Sequence, residues 1–432
     1  MRNPWPATGL WRHGDFLKLW SAETISQFGS QVGQLALPLV AVITLESSPF
    51  EVAVLGTILF LPFMLFAIPA GVWVDRLPRK PILVAGDVGR FLLLSTVPIA
   101  YVLDALTIWQ LYAVAFTYGI CTVFFDVAYQ SYLPSLVARE QLMDGNSKLE
   151  ISRSASQLGG PGLGGLTVQI LTAPYAVFAD AISFLVSGLF LVRIRTVEQI
   201  PEREPGAARP SMLREARDGL GFVLRHRYLR AIAGTTAISN FSTSLAFAVF
   251  LVYAVRTLDL SAAVIGILFS LGAIGSMIGA LSARRVSARL GVGPTIVASA
   301  FVFGPAMFLF PAAPTSFPYP FLVGGMILFG VAGVIYNITQ LSYRQAVTPE
   351  RMLGRMNSVM RFIVWGVMPV GSLLGGALAT TIGLRETMWI GAAIGSACFL
   401  PVLLSPVRQL RELPEPLPDE SPPDAAPEPA GA

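Results

Sequence analysis

Long runs of apolar residues, separated by short polar stretches, set the pattern of this chain. A helix needs about 20 predominantly apolar residues to cross a bilayer, and twelve apolar segments can be traced along the sequence. They lie near residues 16–45, 50–74, 81–103, 107–133, 146–172, 174–194, 229–257, 261–283, 293–314, 318–345, 354–382 and 385–406. The pattern predicts an all-α membrane protein with twelve transmembrane helices.

The composition of the chain supports a membrane protein. Of its 432 residues, 54% are hydrophobic and only 13% are charged, whereas a soluble domain carries about 25% charged residues. The net charge of +4 does not indicate nucleic acid as a partner, because the basic residues fall between the apolar segments, as membrane topology requires. Cys121 and Cys398 lie inside apolar runs and have the spacing of neither a disulfide framework nor a metal site.

Two polar stretches divide the chain into regions. Residues 195–228 are polar and end in a basic amphipathic segment, which predicts a linker with an interfacial helix. The tail is rich in Pro, Asp, Glu and Ala, a composition typical of disorder. We therefore expect a cytoplasmic N-terminus (1–15), a six-helix bundle (16–194), the cytoplasmic linker (195–228), a second six-helix bundle (229–406) and a disordered cytoplasmic tail (407–432).

The positions of Lys and Arg predict the orientation of the helices. With the N-terminus inside, the predicted outer loops hold only Arg256 and Arg385, so both termini are expected in the cytoplasm. Arg far outnumbers Lys, as is typical of proteins from GC-rich bacterial genomes. We expect a multi-pass protein of the bacterial inner membrane.

The two halves of the chain repeat each other at one fixed offset of 211 residues. The matching positions are Asp126 and Asn337, Tyr132 and Tyr343, Gly160 and Gly371, Gly164 and Gly375, and Gly165 and Gly376. Six helices followed by six with the same orientation form a parallel duplication. Transporters built in this way place the substrate site between the halves, near the bilayer midplane.

Polar residues recur at helical spacing along four of the predicted helices, which are the first, fourth, seventh and tenth. The stripes contain Glu23, Gln27, Gln31 and Gln34, then Tyr118, Thr122, Asp126 and Tyr129, then Asn240, and finally Asn337, Gln340 and Arg344. Each residue alone could serve a hydrogen bond between helices. Because polar residues are costly inside a membrane, the four stripes together favour a shared water-filled substrate cavity. The second, third, ninth and twelfth helices have no comparable stripe.

The loop after the second apolar segment has a distinctive spacing. It contains Gly71, Asp75, Arg76, Arg79 and Lys80. A carboxylate such as that of Asp75 is favoured near a helix N-terminus. The spacing resembles the cytoplasmic signature of the major facilitator superfamily, and this resemblance implies the major facilitator fold and a gating role for the loop.

A second motif lies in the fifth predicted helix, where Gly160, Pro161, Gly164 and Gly165 are close together. Small residues let two helix backbones approach closely in a membrane. The run resembles the antiporter motif of drug-exporting facilitators, which implies export. The runs 124–134 and 180–185 are similar to the enterobactin-exporter-like branch of the superfamily, to which macrolide and tetracycline exporters also belong.

The motifs of several enzyme classes are absent from the sequence, which has no phosphate-binding loop, no nucleophile elbow and no His/Cys cluster. We expect no enzymatic activity, no cofactor and no metal, so the energy must come from a gradient. The sequence predicts a monomeric, proton-coupled secondary exporter of small amphipathic or lipophilic molecules (a drug, siderophore or secondary metabolite) that works by alternating access. The alternatives are an importer of the same fold for a nutrient or siderophore, and a membrane sensor or enzyme without transport.

Three carboxylates are candidates for proton coupling. Burial in a low-dielectric cavity favours the protonated form of a carboxyl group and suits it to proton exchange near neutral pH. Asp126 is preferred because it lies in a polar stripe and its repeat partner is neutral, although it could instead pair with Arg76. Glu23 lies near the cytoplasmic end of its helix, and Asp180 is expected at the periphery of the cavity.

Overall fold

The computed structural model describes residues 10–74, 77–138, 141–196, 198, 220–348 and 350–412. Within these ranges twelve long helices follow one another with short connections. They are α1 (Gly14–Leu39), α2 (Pro49–Val74), α3 (Arg79–Val102), α4 (Ile108–Leu136), α5 (Leu142–Leu171), α6 (Ala173–Val192), α7 (Arg227–Arg256), α8 (Ala262–Leu290), α9 (Val292–Ala312), α10 (Tyr319–Val347), α11 (Glu350–Ile382) and α12 (Leu384–Ser396). A short helix, α13 (Leu400–Leu403), follows α12.

Ten stretches of the described helices are long and apolar enough to cross a bilayer. Helices α1 and α5 do not meet that criterion, since polar residues recur along both of them. Their place in the bundle comes from packing, with α1 lying against both α5 and α6. A π-helical turn, Val40–Thr44, continues α1. When it is counted with α1, the helices agree with the twelve predicted segments in order and, with two exceptions, in their ends to within a few residues.

The two exceptions lie in the second half of the chain. The eighth segment was predicted to end at residue 283, but α8 continues through three arginines and ends at Leu290. Gly291 follows as its C-cap, with a φ of 92° that favours glycine. The last segment was predicted as one helix over 385–406, but it breaks after Ser396 before α13 resumes. Of the predicted linker helix, residues 220–225 are helical; residues 199–219 and the tail from 413 lie outside the described residues.

The sequence repeat is also a structural repeat. A methyl group placed on Gly164 of α5 would lie 3.1 Å from the Cα of Val32 in α1. At the equivalent position of the second half, a methyl group on Gly375 of α11 would overlap the carbonyl oxygen of Leu245 in α7. In both halves, therefore, the glycines of the fifth helix let it pack directly on the backbone of the first.

Gly165 and its repeat partner Gly376 each contact a helix of the other half. A methyl group on Gly165 would overlap the carbonyl oxygen of Ala262 in α8, and one on Gly376 would lie 3.0 Å from the Cα of Phe50 in α2. These contacts lie where α5 and α11 approach their C-terminal ends and where α2 and α8 begin. The halves thus touch at the end of the bundle that we predict to face outward.

Side chains also bridge the halves at the same end, among them Ser372, whose hydroxyl donates to the carbonyl oxygen of Ala53 (3.1 Å). Arg256, the last residue of α7, donates from Nη2 to the carbonyl oxygens of Ser47 (2.7 Å) and Val42 (3.3 Å), which follow α1. At the opposite end of the bundle, Glu198 accepts hydrogen bonds from the backbone N–H of Arg79 (2.6 Å) and from its Nη1 (2.7 Å). The beginning of the linker is therefore attached to the start of α3.

Candidate functional site

A cavity of about 1280 Å³ lies in the first half of the molecule. The residues that line it all come from α1 to α6, and no described residue of the second half contributes. Its lining follows α5 from Asn146 onward, and Arg153, Ser154 and Gln157 of this stretch are exposed. The glycine contacts of α5 with α1 and α8 lie farther along the helix, toward its C-terminal end.

The polar stripes of α1 and α4 line this cavity together. The lining includes Glu23, Gln27, Gln31, Gln34, Tyr118, Thr122, Asp126 and Tyr129. Apolar side chains also contribute to the wall, among them Phe60 and Phe63 of α2. The two kinds of surface in one space suit a ligand that is itself part polar and part apolar.

Two of the candidate carboxylates, Glu23 and Asp126, have different surroundings in the cavity wall. Glu23 is 6% exposed and accepts a hydrogen bond from Nε2 of Gln27 (2.7 Å), while its second oxygen has no hydrogen-bond partner among the described residues. Asp126 is partly exposed to the cavity, and the cations whose charges act on it are Arg90 and Arg153. Its suggested pairing with Arg76 falls on a residue outside the described ranges.

Asp180 lies deeper than the sequence suggested. We expected it at the periphery, but it is 1% exposed and lines the cavity. Its carboxylate occupies a gap on α1, because a methyl group on Gly29 would lie 2.8 Å from Oδ1 and one on Gly33 would overlap Oδ2. Ser183 also donates to it at 3.3 Å. The two glycines therefore make room for this carboxylate at the boundary between α1 and α6.

The structure adds an ion pair that the polar stripes did not reveal. In α3, Nη2 of Arg90 donates to Oδ1 of Asp87 at 2.5 Å, and both side chains are buried. The guanidinium lies between the rings of Phe125 and Phe184, 4.1 Å from each ring centroid. Arg90 lines the cavity. The sequence analysis found no polar stripe in the third helix, and Asp87 and Arg90 form a single isolated ion pair there, so the search for stripes did not find them.

The predicted site residues of the second half do not line this cavity. Nδ2 of Asn240 donates to the carbonyl oxygen of Val364 (3.0 Å). Gln340 donates to Asn337 (3.0 Å) and accepts from Arg344 (3.3 Å), whose Nη2 also donates to Asn357 (3.0 Å). The cavity that we predicted four stripes to share is thus lined by only two of them in this structure. Asn240, Asn337, Gln340 and Arg344 instead make hydrogen bonds within their own half.

The loop motif has well-defined surroundings where it is described. Lys80 donates to the carbonyl oxygens of Val192 (3.0 Å) and Ile194 (2.5 Å) and so joins the end of α6, while Arg79 pairs with the linker through Glu198. Asp75 and Arg76 lie outside the described residues, as do the surroundings of Gly71.

In α5 the motif glycines alternate between two partners. Gly160 and Gly164 face α1, whereas Gly165 and the carbonyl oxygen of Pro161 meet α8 at Ala262 and Gly266. The motif therefore lies where one helix touches its own half and the other half at the same time.

Histidines of the described chain act as helix caps. Nδ1 of His13 accepts from the backbone N–H of Phe16 (3.1 Å), and Nδ1 of His226 accepts from that of Leu229 (3.4 Å). Among the described residues no cluster of His, Cys, Asp and Glu has the arrangement of a metal site.

Comparison with known proteins agrees with this architecture. The family model described as "Major Facilitator Superfamily" matches residues 19–370 and 232–430. The chain belongs to the Major Facilitator Superfamily. The prediction of an all-α fold of this family is confirmed, and the chain is a multi-pass membrane transporter of small molecules rather than an enzyme.

Several relatives within the superfamily carry names that refer to efflux. The chain is 23% identical to Macrolide efflux protein A of Streptococcus pyogenes over 91% of this chain and 97% of that protein. It is 26% identical to the Multidrug efflux pump Tap of Mycolicibacterium fortuitum, with 82% and 84% covered. With the Enterobactin exporter EntS of Salmonella typhimurium it shares 25% identity, over 65% and 66%. The predicted resemblance to the efflux branch is thereby confirmed.

A solved structure shows the same fold. A bacterial homologue of the iron transporter ferroportin in an inward-facing state superimposes with a TM-score of 0.73 and 17% identity, covering 92% of this chain and 99% of that one. At this identity the likeness describes the arrangement of the helices, not the substrate.

Proposed function

We propose that this transporter is a proton-coupled exporter of small amphipathic or lipophilic molecules. The observation that carries the proposal is the cavity of the first half, in which Glu23, Asp126 and Asp180 line the same space as phenylalanine side chains. A cavity with both features can take up a lipophilic substrate and also bind protons. The efflux names of the relatives support export as the direction.

The coupling residue we propose is Asp126. Its side chain is partly exposed to the cavity, whereas Asp180 is enclosed by α1 and Glu23 is held by Gln27. A proton can therefore reach Asp126 from solvent that enters the cavity. Arg90 and Arg153 provide positive charge that stabilises the carboxylate once the proton leaves. Protonation and substrate binding at one wall provide a simple basis for antiport.

Alternating access follows from the way the halves touch. We propose that the present arrangement is inward-open, with both termini cytoplasmic, and that separation of α5 from α8 and of α2 from α11 opens the other side. At Gly165 and Gly376 the two halves meet largely backbone against backbone, which lets this end close tightly. We further propose that the transporter functions as a monomer in the bacterial inner membrane, with the gating loop acting through Asp75.

Uptake into everted membrane vesicles tests the direction of transport. Vesicles that contain the protein should accumulate a radiolabelled macrolide when their lumen is acidified, and a protonophore should abolish the accumulation. A gradient of one pH unit corresponds to about 1.4 kcal/mol, which drives about tenfold accumulation for one proton per substrate. Accumulation in right-side-out vesicles under an inward proton gradient would instead favour the importer alternative.

A further inference from the structure

A groove runs along the outer surface of the second half, between α9 and the end of the chain's last helices. Its volume is about 440 Å³, and its walls are Pro294, Val297, Ala298, Phe301, Phe399 and Leu403. The rings of Phe301 and Phe399 meet edge to face, with centroids 5.2 Å apart. Phe301 is 53% exposed. A groove this apolar, on a helix apolar enough to span a bilayer, faces lipid.

The groove ends at a positive charge. Arg408 completes its lining, and its side chain is exposed and has no hydrogen-bond or ion-pair partner in the described part of the chain. The segment that carries it is fixed across the start of α9, because the backbone N–H of Gly293 donates to the carbonyl oxygen of Leu410 (2.8 Å). Arg408 is thereby held at the rim of the groove.

A second arginine reinforces the charge at this rim. Nη1 of Arg411 donates to the carbonyl oxygen of Leu290 (3.2 Å), which places Arg411 beside the exposed Arg289. Glu412 follows Arg411 directly in the chain and is the acidic neighbour. Among the residues that the structure describes, three arginines and one glutamate lie at this rim, so its described part is positively charged.

The length of the groove indicates what can fill it. From Pro294 to Phe301 the helix rises by about 10 Å, at about 1.5 Å per residue. One leaflet contributes about 15 Å to a hydrocarbon core of about 30 Å. The groove is thus long enough for much of one acyl chain and too short to seat a helix that crosses the membrane.

We propose that this groove binds an anionic phospholipid of the surrounding bilayer. One acyl chain lies against Val297, Phe301 and Phe399, and the phosphate of the head group meets Arg408. Basic pockets at the membrane surface between transmembrane helices recognise anionic head groups in this way. The site is on the lipid-facing side of the second half, so it does not depend on the proposed direction or coupling of transport.

Native mass spectrometry of the full chain in detergent tests the proposal directly. The protein is titrated with phosphatidylglycerol and, separately, with phosphatidylcholine of identical acyl chains. We expect tighter binding of phosphatidylglycerol, and we expect Arg408→Gln to weaken that binding about fivefold, the factor that corresponds to one basic residue at an anionic surface. Equal affinity for the two lipids, or unchanged binding by Arg408→Gln, would overturn the proposal.

Two further variants separate the groove from general surface charge. Gln409→Glu changes the net charge by the same amount one residue away but does not line the groove, so it should keep the preference for phosphatidylglycerol. Ala298→Trp leaves the arginines intact and fills the groove from an exposed position, so it should weaken binding of both lipids. Full binding by Ala298→Trp, or a loss in Gln409→Glu equal to that in Arg408→Gln, would show that the groove is not the site.

Discussion

At the scale of single residues, the sequence predicted Asp126 and its neighbours in the cavity wall because they belong to stripes of polar residues. The stripes of α1 and α4 were predicted because water in the cavity allows polar residues to recur at helical spacing. The same spacing in α7 and α10 serves hydrogen bonds such as that of Asn240 to Val364, and spacing alone does not distinguish the two uses. Arg90 and Asp87 were missed because an isolated ion pair forms no stripe.

Asp126→Asn is the substitution that tests proton coupling. It removes the ionisable group but keeps the shape and polarity of the side chain, so substrate exchange between equal concentrations should persist. Accumulation under a gradient of one pH unit should fall from about tenfold to none. Asp144→Asn is the matched control, since Asp144 lies at the start of α5, pairs with Lys148 and does not line the cavity. Normal accumulation by Asp126→Asn would exclude Asp126 as the coupling residue and make Glu23 the next candidate.

His226 makes the stability of the second half depend on pH. Burial, together with the positive charge of Arg227, lowers the pKa of His226 below its ordinary value of 6.5. Below pH 6.5 the unfolded chain therefore binds a proton that the folded chain does not, so stability falls as the pH drops below that value. The helix cap itself needs the neutral ring, because its Nδ1 accepts the hydrogen bond from Leu229.

Thermal unfolding in detergent at about pH 7.5 and 5.5 measures this effect. Asparagine is a preferred N-cap that does not titrate, so His226→Asn should lose less stability on acidification than the wild type. The difference should reach about 1 kcal/mol, the usual value of a cap. An identical loss in the two proteins would show that the cap is not pH-sensitive.

At the scale of helices, the glycine motif of α5 indicated close approach but not its direction. Gly160 and Gly164 are four residues apart and share a face of the helix, and the structure shows that this face meets α1. Gly165 projects toward α8 and the other half. The sequence could predict that backbones approach here. Assigning each glycine to a partner requires the positions of three helices, which no local pattern contains.

Gly164→Leu tests the packing of α5 on α1. The new side chain would meet the backbone of Val32, whose Cα is only 3.1 Å from the position that a Cβ atom would take. Overpacking of this kind costs about 1–3 kcal/mol, and export should fall with it. Gly159→Leu is the control, since the nearest atom to its Cβ position is Cε1 of Phe28 at 3.9 Å. Unfolding temperatures and export that are the same for both variants would contradict the packing account.

At the scale of the whole molecule, the apolar pattern and the internal repeat predicted the helices and their two-half arrangement. Both follow from requirements that act along the chain, namely the thickness of the bilayer and the duplication itself. Which end of the bundle is closed was not predictable, since a transporter must make both arrangements from one sequence. The closure shown here depends on contacts between distant residues, such as Arg256 with Ser47.

Arg256→Gln should weaken that closure. The variant loses charged hydrogen bonds to Ser47 and Val42, which are worth about 1.5–3 kcal/mol each when fully formed, so the outward-open population should rise several-fold. Distances between spin labels on the C-terminal ends of α1 and α7 measure the outward-open population. Arg385→Gln is the control, because Nε of Arg385 donates to Pro311 within its own half. Equal distance distributions in wild type and Arg256→Gln would show that Arg256 does not hold this end of the bundle closed.

The central claim is that substrate and protons move in opposite directions through the cavity of the first half. Its most direct test is proton movement in proteoliposomes that contain the purified protein and a pH-sensitive dye in the lumen. When a macrolide gradient is imposed without any initial pH difference, the account predicts that protons move against the macrolide flux and that Asp126→Asn abolishes their movement while macrolide exchange continues. Macrolide flux with no proton movement, or with protons moving in the same direction, would contradict it.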